Sequence, residues 1–311
     1  MGLAAFIAGT AGERLIIRAL RGDRRELEWL SDAVVSLAVT GLTYLWLHLR
    51  ASRIQVLALR QEQIAINEQL RLAAEIQRGL LPELPQATPG FRWAARMVPA
   101  SQIGGDLYDF FQPRDGSVVA MVADVSGKGI PAALILSSLK TLFRTFAHDT
   151  VHPAAIADGI GAALYEAYGG LPYATAIVAR FEAAPRRLTY VNAGHPAGFL
   201  LRNGAVPIAL ESGGRPLGLL PGATYATASI ELRPGDIGVL VTDGVTEALE
   251  TGPKTVSQVL RASDARSNQG RSPAEICDDL LRAAAAGPGP AGVPDWQDDR
   301  TVFVFAVEAG V

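Results

Sequence analysis

The rhythm of hydrophobic and polar positions changes twice along the chain. Residues 33–49, AVVSLAVTGLTYLWLHL, contain no Asp, Glu, Lys or Arg. With Trp29 and Leu30, the apolar run approaches the ~20 residues that cross a bilayer as a helix. Tyr44 and Trp46 stand toward its far end, where aromatic side chains favour the interface, and Arg50 and Arg53 follow at once. The pattern predicts a transmembrane helix over 29–49, behind an apolar, arginine-rich segment over 1–28. Residues 1–12 are apolar but too few to span, and no positive region precedes them as in a signal peptide. From 50 to 81 the rhythm is helical. Val56, Leu59, Gln63, Ile66, Leu70, Ala73, Gln77 and Leu80 recur at spacings of 3 and 4. That is an a/d seam of about three and a half heptads, and it predicts a helical coiled-coil linker over 50–81 and a homodimer through it. Gln63 and Gln77 put polar groups on the seam, where they suit register-setting or switching. The alternatives are a buried core helix for 33–49 and, for 50–81, an amphipathic helix lying on its own domain. Pro82 and Pro85 end the helix.

Beyond residue 82 the period shortens to that of strands. The runs 92–98, 117–124, 174–182, 187–193, 197–202, 226–232, 236–243 and 301–307 are rich in β-branched and apolar residues between turn signals. Helical runs are fewer: about 130–147, 153–168 and 272–286. Several strands follow one another without a helix, so the sheet should be mainly antiparallel and the class α+β. Pro234-Gly235-Asp236 reads as a turn, and 287–294 as a flexible loop.

Composition adds three limits. The chain has 311 residues, 49% hydrophobic and 19% charged, enough for a sizeable core and a membrane segment. A net charge of −3 offers no basic footprint for nucleic acid. The single cysteine, Cys277, excludes an internal disulfide and a cysteine-based zinc cluster, and its helical surroundings predict a buried small hydrophobe.

The acids carry the chemistry. Asp124 closes the strand VVAMVAD, and Asp243 closes IGVLVTD. Asp298 and Asp299 precede TVFVFAV, and Asp106 follows Gly104-Gly105 ahead of LYDFF. One aspartate at a strand end is usually a turn residue or a helix cap. Four strands ending this way place several carboxylates within reach of one another if the ends converge. Their repulsion then calls for cations. Oxygen ligands without cysteine suit a hard ion, Mg²⁺ or Mn²⁺, and two such ions can activate water toward a phosphoryl group. Gly127-Lys128-Gly129 in VADVSGKGIPAA does not make a phosphate loop. The lysine is followed by glycine, and no glycine lies five residues before Gly127. It reads as a tight turn into a helix with Pro131 in its first turn.

Six motifs occur in a family's order: GGDLYD (104–109), ADVSGKGIPAA (123–133), YATA (173–176), NAGHP (192–196), LVTDGVTEA (240–248) and QDDRT (297–301). With the lead-in LAAEIQRGLLP (72–82), the chain over roughly 72–308 resembles the SpoIIE/RsbU-type branch of the PPM metal-dependent serine/threonine phosphatases. The resemblance implies a PPM-like sandwich of two mainly antiparallel sheets flanked by helices, over 82–311, with two Mn²⁺ or Mg²⁺ ions at one edge. Asp106, Asp124, Asp243 and Asp298 look like ligands and catalytic residues, Val125 would contribute its carbonyl, and Asp299 is the second choice to Asp298. His195 is expected to be structural or at the substrate rim, and Lys128 to be near the phosphate or solvated. Asp109 reads as a supporting acid or a turn acid.

The implied reaction is hydrolysis of phosphoserine or phosphothreonine by a metal-bridged hydroxide, without a phosphoenzyme. The implied substrate is a phosphorylated STAS-domain antagonist of an anti-sigma factor in a bacterium. The phosphatase domain is then cytoplasmic and membrane-anchored, whereas the arginine count around a single span points the other way. Two other readings are a non-catalytic scaffold that binds a STAS partner and a two-metal hydrolase with another phosphate substrate.

Overall fold

The structure, a computed structural model, describes residues 24–85, 87–127, 129–202, 205–211, 213–250, 258–259, 271–286 and 298–308. The expectations for 1–23, Lys128 and the 287–294 loop lie outside the described residues. The chain divides into two compact units, Met1–Glu68 and Gln69–Val311. Helix α1 (Arg24–Leu80) crosses the boundary without a break, so the expected span and linker are one helix. It holds one stretch long and apolar enough to cross a membrane. Leu37, Leu42 and Tyr44 are exposed there, and the Thr40 and Thr43 hydroxyls donate back to the Ser36 and Val39 carbonyls at 2.8 and 2.7 Å. That back-bonding satisfies two hydroxyls inside an apolar run.

In the second unit the described strands form two sheets. The first runs in the order β1 (Ala87–Thr88), β2 (Phe91–Val98), β11 (Arg300–Val307), β10 (Ile237–Val241), β7 (Gly198–Leu201), β8 (Ile208–Leu210). The second runs β3 (Asp106–Phe111), β4 (Val118–Val125), β5 (Ala174–Ala183), β6 (Arg186–Ala193), β9 (Ala228–Glu231). Every named pair is antiparallel, as the strand-after-strand pattern predicts.

Alternation along each strand separates two buried faces. On β11, Phe303, Phe305 and Val307 join Trp93, Phe110, Phe181 and Leu188 between the sheets, while Val302 and Val304 face outward. Aromatic rings fill the space between the sheets at offset and edge geometries, with Trp93 and Phe181 at 4.9 Å and Phe181 and Phe305 at 4.8 Å. Helices α2 (Ile130–Asp149) and α3 (Pro153–Tyr168) cover the outer face of the second sheet. Helices α4 (Asp243–Glu250) and α5 (Pro273–Ala285) cover that of the first. Pro131 stands in the first turn of α2 as expected. A Ser272–Glu275 capping box starts α5, and Cys277 stands on the buried face of that helix, fully buried.

Three expectations are corrected. The strand expected over 236–243 ends at Val241, and Asp243 does not close it but opens the helix Asp243–Glu250. Asp109 is neither a turn acid nor beside the other aspartates. It lies inside β3 on the helix-facing side, fully buried, where Arg144 of α2 grips it through two nitrogens, one at 2.6 Å. Gln77, expected on the coiled-coil seam, instead packs against its own domain. Its side chain turns inward and is buried in the second unit.

Candidate metal centre

Strand register builds the site. Asp106, at the start of β3, is the direct partner of Asp124 on β4, and Asp124 is the partner of Thr175 on β5. All three occupy positions in phase with the inward-facing Tyr108, Val122 and Ile177, so they line one edge of the space between the sheets. The opposing sheet supplies hydroxyls. Thr242 and Thr301 both donate to Asp106 Oδ2, at 2.8 and 2.6 Å. The Thr301 amide in turn donates to Thr242 Oγ1 at 2.9 Å. The carboxylate of β3 is thereby tied to the ends of β10 and β11.

The remaining aspartates arrive from the same two ends. Asp243 opens α4 directly after Thr242. Gly244 lies so close to the 298–299 backbone that a Cβ there would overlap the Asp299 carbonyl. Asp299 itself accepts from the Ala100 amide at 2.7 Å and from the Gly105 amide. Gly105 admits the approach of the rest: a Cβ would stand 3.0 Å from Asp124 Oδ1 and 3.1 Å from the Val125 carbonyl oxygen. The Val125 amide donates to Gly105 O at 3.0 Å, which fixes the turn after β4.

Charge follows from this crowding. Burial, partly offset by the two threonine bonds, pushes the Asp106 carboxyl up to about 8, and Asp299 and Asp243 add to the rise. Asp124 is pushed up to about 9 by burial and then by the charges of Asp106, Asp243, Asp298 and Asp299. Asp124 therefore lies within electrostatic reach of the other four predicted aspartates. Among the described residues, no three carboxylates, imidazoles or thiolates are drawn closely enough together to enclose an ion as they stand. The donor chemistry nevertheless suits hard divalent cations. It is oxygen only, it carries surplus negative charge, and glycine leaves room beside it.

His195 is buried rather than on a rim. Its Nδ1 lies 2.9 Å from Thr175 Oγ1, and its amide donates to Asn192 Oδ1 at 2.8 Å. Burial lowers its pKa to about 3, with partial opposition from the Val241 carbonyl, so the ring is neutral at physiological pH. It extends the row Asp106, Asp124, Thr175 by one more polar group. The threonines 175, 242 and 301 were not singled out from sequence. The available signal was a threonine within two positions of an aspartate in both VTD and DDRT.

The family model described as stage II sporulation protein E (SpoIIE) matches residues 114–308. The chain belongs to the SpoIIE family. Asp124, Val125, Asp243, Asp298 and Asp299 fall inside the SpoIIE match, and Asp106 lies just ahead of it. Phosphoserine phosphatase RsbU of Bacillus subtilis is 31% identical over 190 residues, covering 61% of this chain and 56% of RsbU. The chain spans from about a third to just over half the length of the curated relatives it matches. Among solved structures, the SiaA-PP2C domain of Pseudomonas aeruginosa matches with a TM-score of 0.65 at 23% identity, over 79% of this chain and 98% of that one. The catalytic domain of the serine/threonine phosphatase PstP, in complex with 2 manganese ions, matches at TM-score 0.50 and 20% identity, over 70% of this chain and 99% of that one. The PPM-like sandwich expected from the motifs is therefore the fold of this SpoIIE-family domain.

Proposed function

We propose that the chain is a divalent-metal-dependent serine/threonine protein phosphatase. The observation that carries this reading is the meeting of five aspartates, from four separate segments, at one edge of the sandwich, with two carboxyls raised to about 8 and about 9. Asp106, Asp124, Asp243 and Asp298, with the Val125 carbonyl, would hold two Mn²⁺ or Mg²⁺ ions. When bound, such ions supply Lewis acidity toward phosphoryl oxygens and lower the pKa of water.

The chain's own residues do the rest. Thr242 and Thr301 take up Oδ2 of Asp106 and hold that carboxylate between the sheets. Asp299 spends its carboxylate on the Ala100 and Gly105 amides, which favours Asp298 over Asp299 as a ligand. The Thr175–His195 pair carries no positive charge, so His195 orients Thr175 rather than protonating a leaving group. Cys277 is buried on the inner face of α5 with its thiol pushed up to about 12, so a cysteinyl-phosphate route is closed.

The substrate in this reading is phosphoserine or phosphothreonine on a small STAS-domain protein. The serine assignment is supported by the similarity to RsbU, whose name is phosphoserine phosphatase. The phosphatase domain faces the bacterial cytoplasm from a membrane-anchored, dimeric α1. The deciding assay is phosphate release from a serine-phosphorylated STAS protein by the full-length chain, with and without Mn²⁺, against Asp243→Asn. Release that requires Mn²⁺ and is lost in the variant is expected. Tight binding of the STAS protein without release would instead identify a scaffold. Release from a phosphodiester or a small phosphate alone would identify a different two-metal hydrolase.

A further inference from the structure

Gln77 stands one turn from the end of α1 and is buried. Its Nε2 donates to the Gly104 carbonyl at 2.6 Å, and its Oε1 accepts from the Gly104 amide at 3.0 Å. One side chain thus satisfies both backbone groups of a residue that lies before β3 and outside any ladder, where they would otherwise be buried unpaired. The end of α1 is itself anchored, because Lys140 of α2 donates to the Leu80 carbonyl and Ala74 is buried.

The other side of the same backbone faces the aspartates. A Cβ on Gly104 would stand 2.8 to 3.0 Å from the Asp299 carboxylate atoms. The Gly105 amide donates to Asp299 Oδ2, and Gly105 lies against Asp124 Oδ1 and the Val125 carbonyl. Asp106 is the next residue. Gly104 and Gly105 are therefore held between Gln77 on one side and the carboxylates on the other, with no side chain of their own to take up slack.

We infer that Gln77 is a positioning residue for the metal centre. Through Gly104 and Gly105 it sets where the Asp299 carboxylate, the Val125 carbonyl and the start of β3 stand relative to one another. A glutamine that merely filled a buried space would contribute to stability without touching the centre. The metal-binding part of the inference rests on the function proposed above, and the backbone-ordering part does not.

The test uses the full-length chain in detergent. Gln77→Met keeps the length of the side chain and removes both hydrogen bonds. Thr88→Val is the stability control, because it removes the buried bond from Trp93 Nε1 to Thr88 Oγ1 and touches none of the aspartates. In the metal-free protein, hydrogen exchange at the Gly105 and Val125 amides should quicken at least about tenfold in Gln77→Met and stay unchanged in Thr88→Val. Mn²⁺ affinity, followed by the resonance signal of free Mn²⁺, should fall about 10- to 100-fold in Gln77→Met only. Unchanged exchange at Gly105 and Val125 overturns the inference, as does an equal loss of Mn²⁺ affinity in Thr88→Val. A wild-type chain that binds no Mn²⁺ overturns the proposed function, and the exchange measurement then decides on Gln77 alone.

Discussion

Asp106 and Asp124 face each other directly across the β3–β4 ladder. Directly opposed residues hold their Cβ atoms about 5 Å apart, and like charges in that relation are destabilising. The metal-free fold therefore either keeps these carboxyls protonated or carries a repulsive pair, and a cation relieves both. Asp124→Asn should raise the melting temperature of the metal-free protein and abolish the further rise caused by Mn²⁺. A gain of 1 kcal/mol corresponds to roughly 2–4 °C for a domain of this size. Thermal melts of both proteins with and without Mn²⁺ check it, and a variant that still gained stability from Mn²⁺ would remove Asp124 from the ligand set.

The same two carboxyls give stability a pH dependence. In the unfolded chain both lose their protons near the ordinary value of 3.8, whereas in the fold they hold them until about 8 and about 9. Between those limits the folded state binds more protons, so stability falls as pH rises. Their contribution is fully present below about pH 4 and gone above about pH 9. Urea denaturation of the metal-free protein across this range should show the decline. Saturating Mn²⁺, which binds the ionised forms, should flatten or reverse it and release protons on binding. A metal-free protein as stable at pH 9 as at pH 5 would contradict these protonation states.

Arg144 and Asp109 form a separate structural lock between α2 and β3. Asp109 is fully buried and Arg144 is about two-fifths exposed. Removing the arginine leaves a buried carboxylate without its partner, which costs about 3–5 kcal/mol in comparable pairs. Arg144→Met should lie at the low end, because water reaches the arginine's side of the pair. Adding Asp109→Leu should recover much of the loss. Urea unfolding of the single and double variants measures both, and a single variant within 1 kcal/mol of wild type would show the pair to be incidental.

Sequence rhythm alone located most of the long strands and the three longer helices of the sandwich, because β-branched runs between turn residues and 3.6-residue spacing report burial directly. The two short edge strands, Ala87–Thr88 and Ile208–Leu210, were not legible, since two or three residues carry no period. The aspartates were legible because strand ends are where carboxylates are out of place in number. Their partners were not. Thr242 and Thr301 read as ordinary strand residues until the two sheets are stacked face to face. Asp109 read like its neighbours because the sequence does not show which face of β3 meets a helix. Gln77 carried a visible signal, a polar residue on an apolar seam, but its partner Gly104 lies 27 positions away, and no local pattern links the two.

The bonds from Thr242 and Thr301 to Asp106 join strands of different sheets. In this they are unlike the ladder bonds, which hold each sheet together by itself. A sandwich can slide or gape at one edge while both sheets keep their own pairing. Here such a movement, by little more than the length of one hydrogen bond, would strip Asp106 of both hydroxyls. The carboxylate edge is therefore a gauge of how tightly the two layers are shut, and chemistry at that edge would report on closure of the sandwich as a whole.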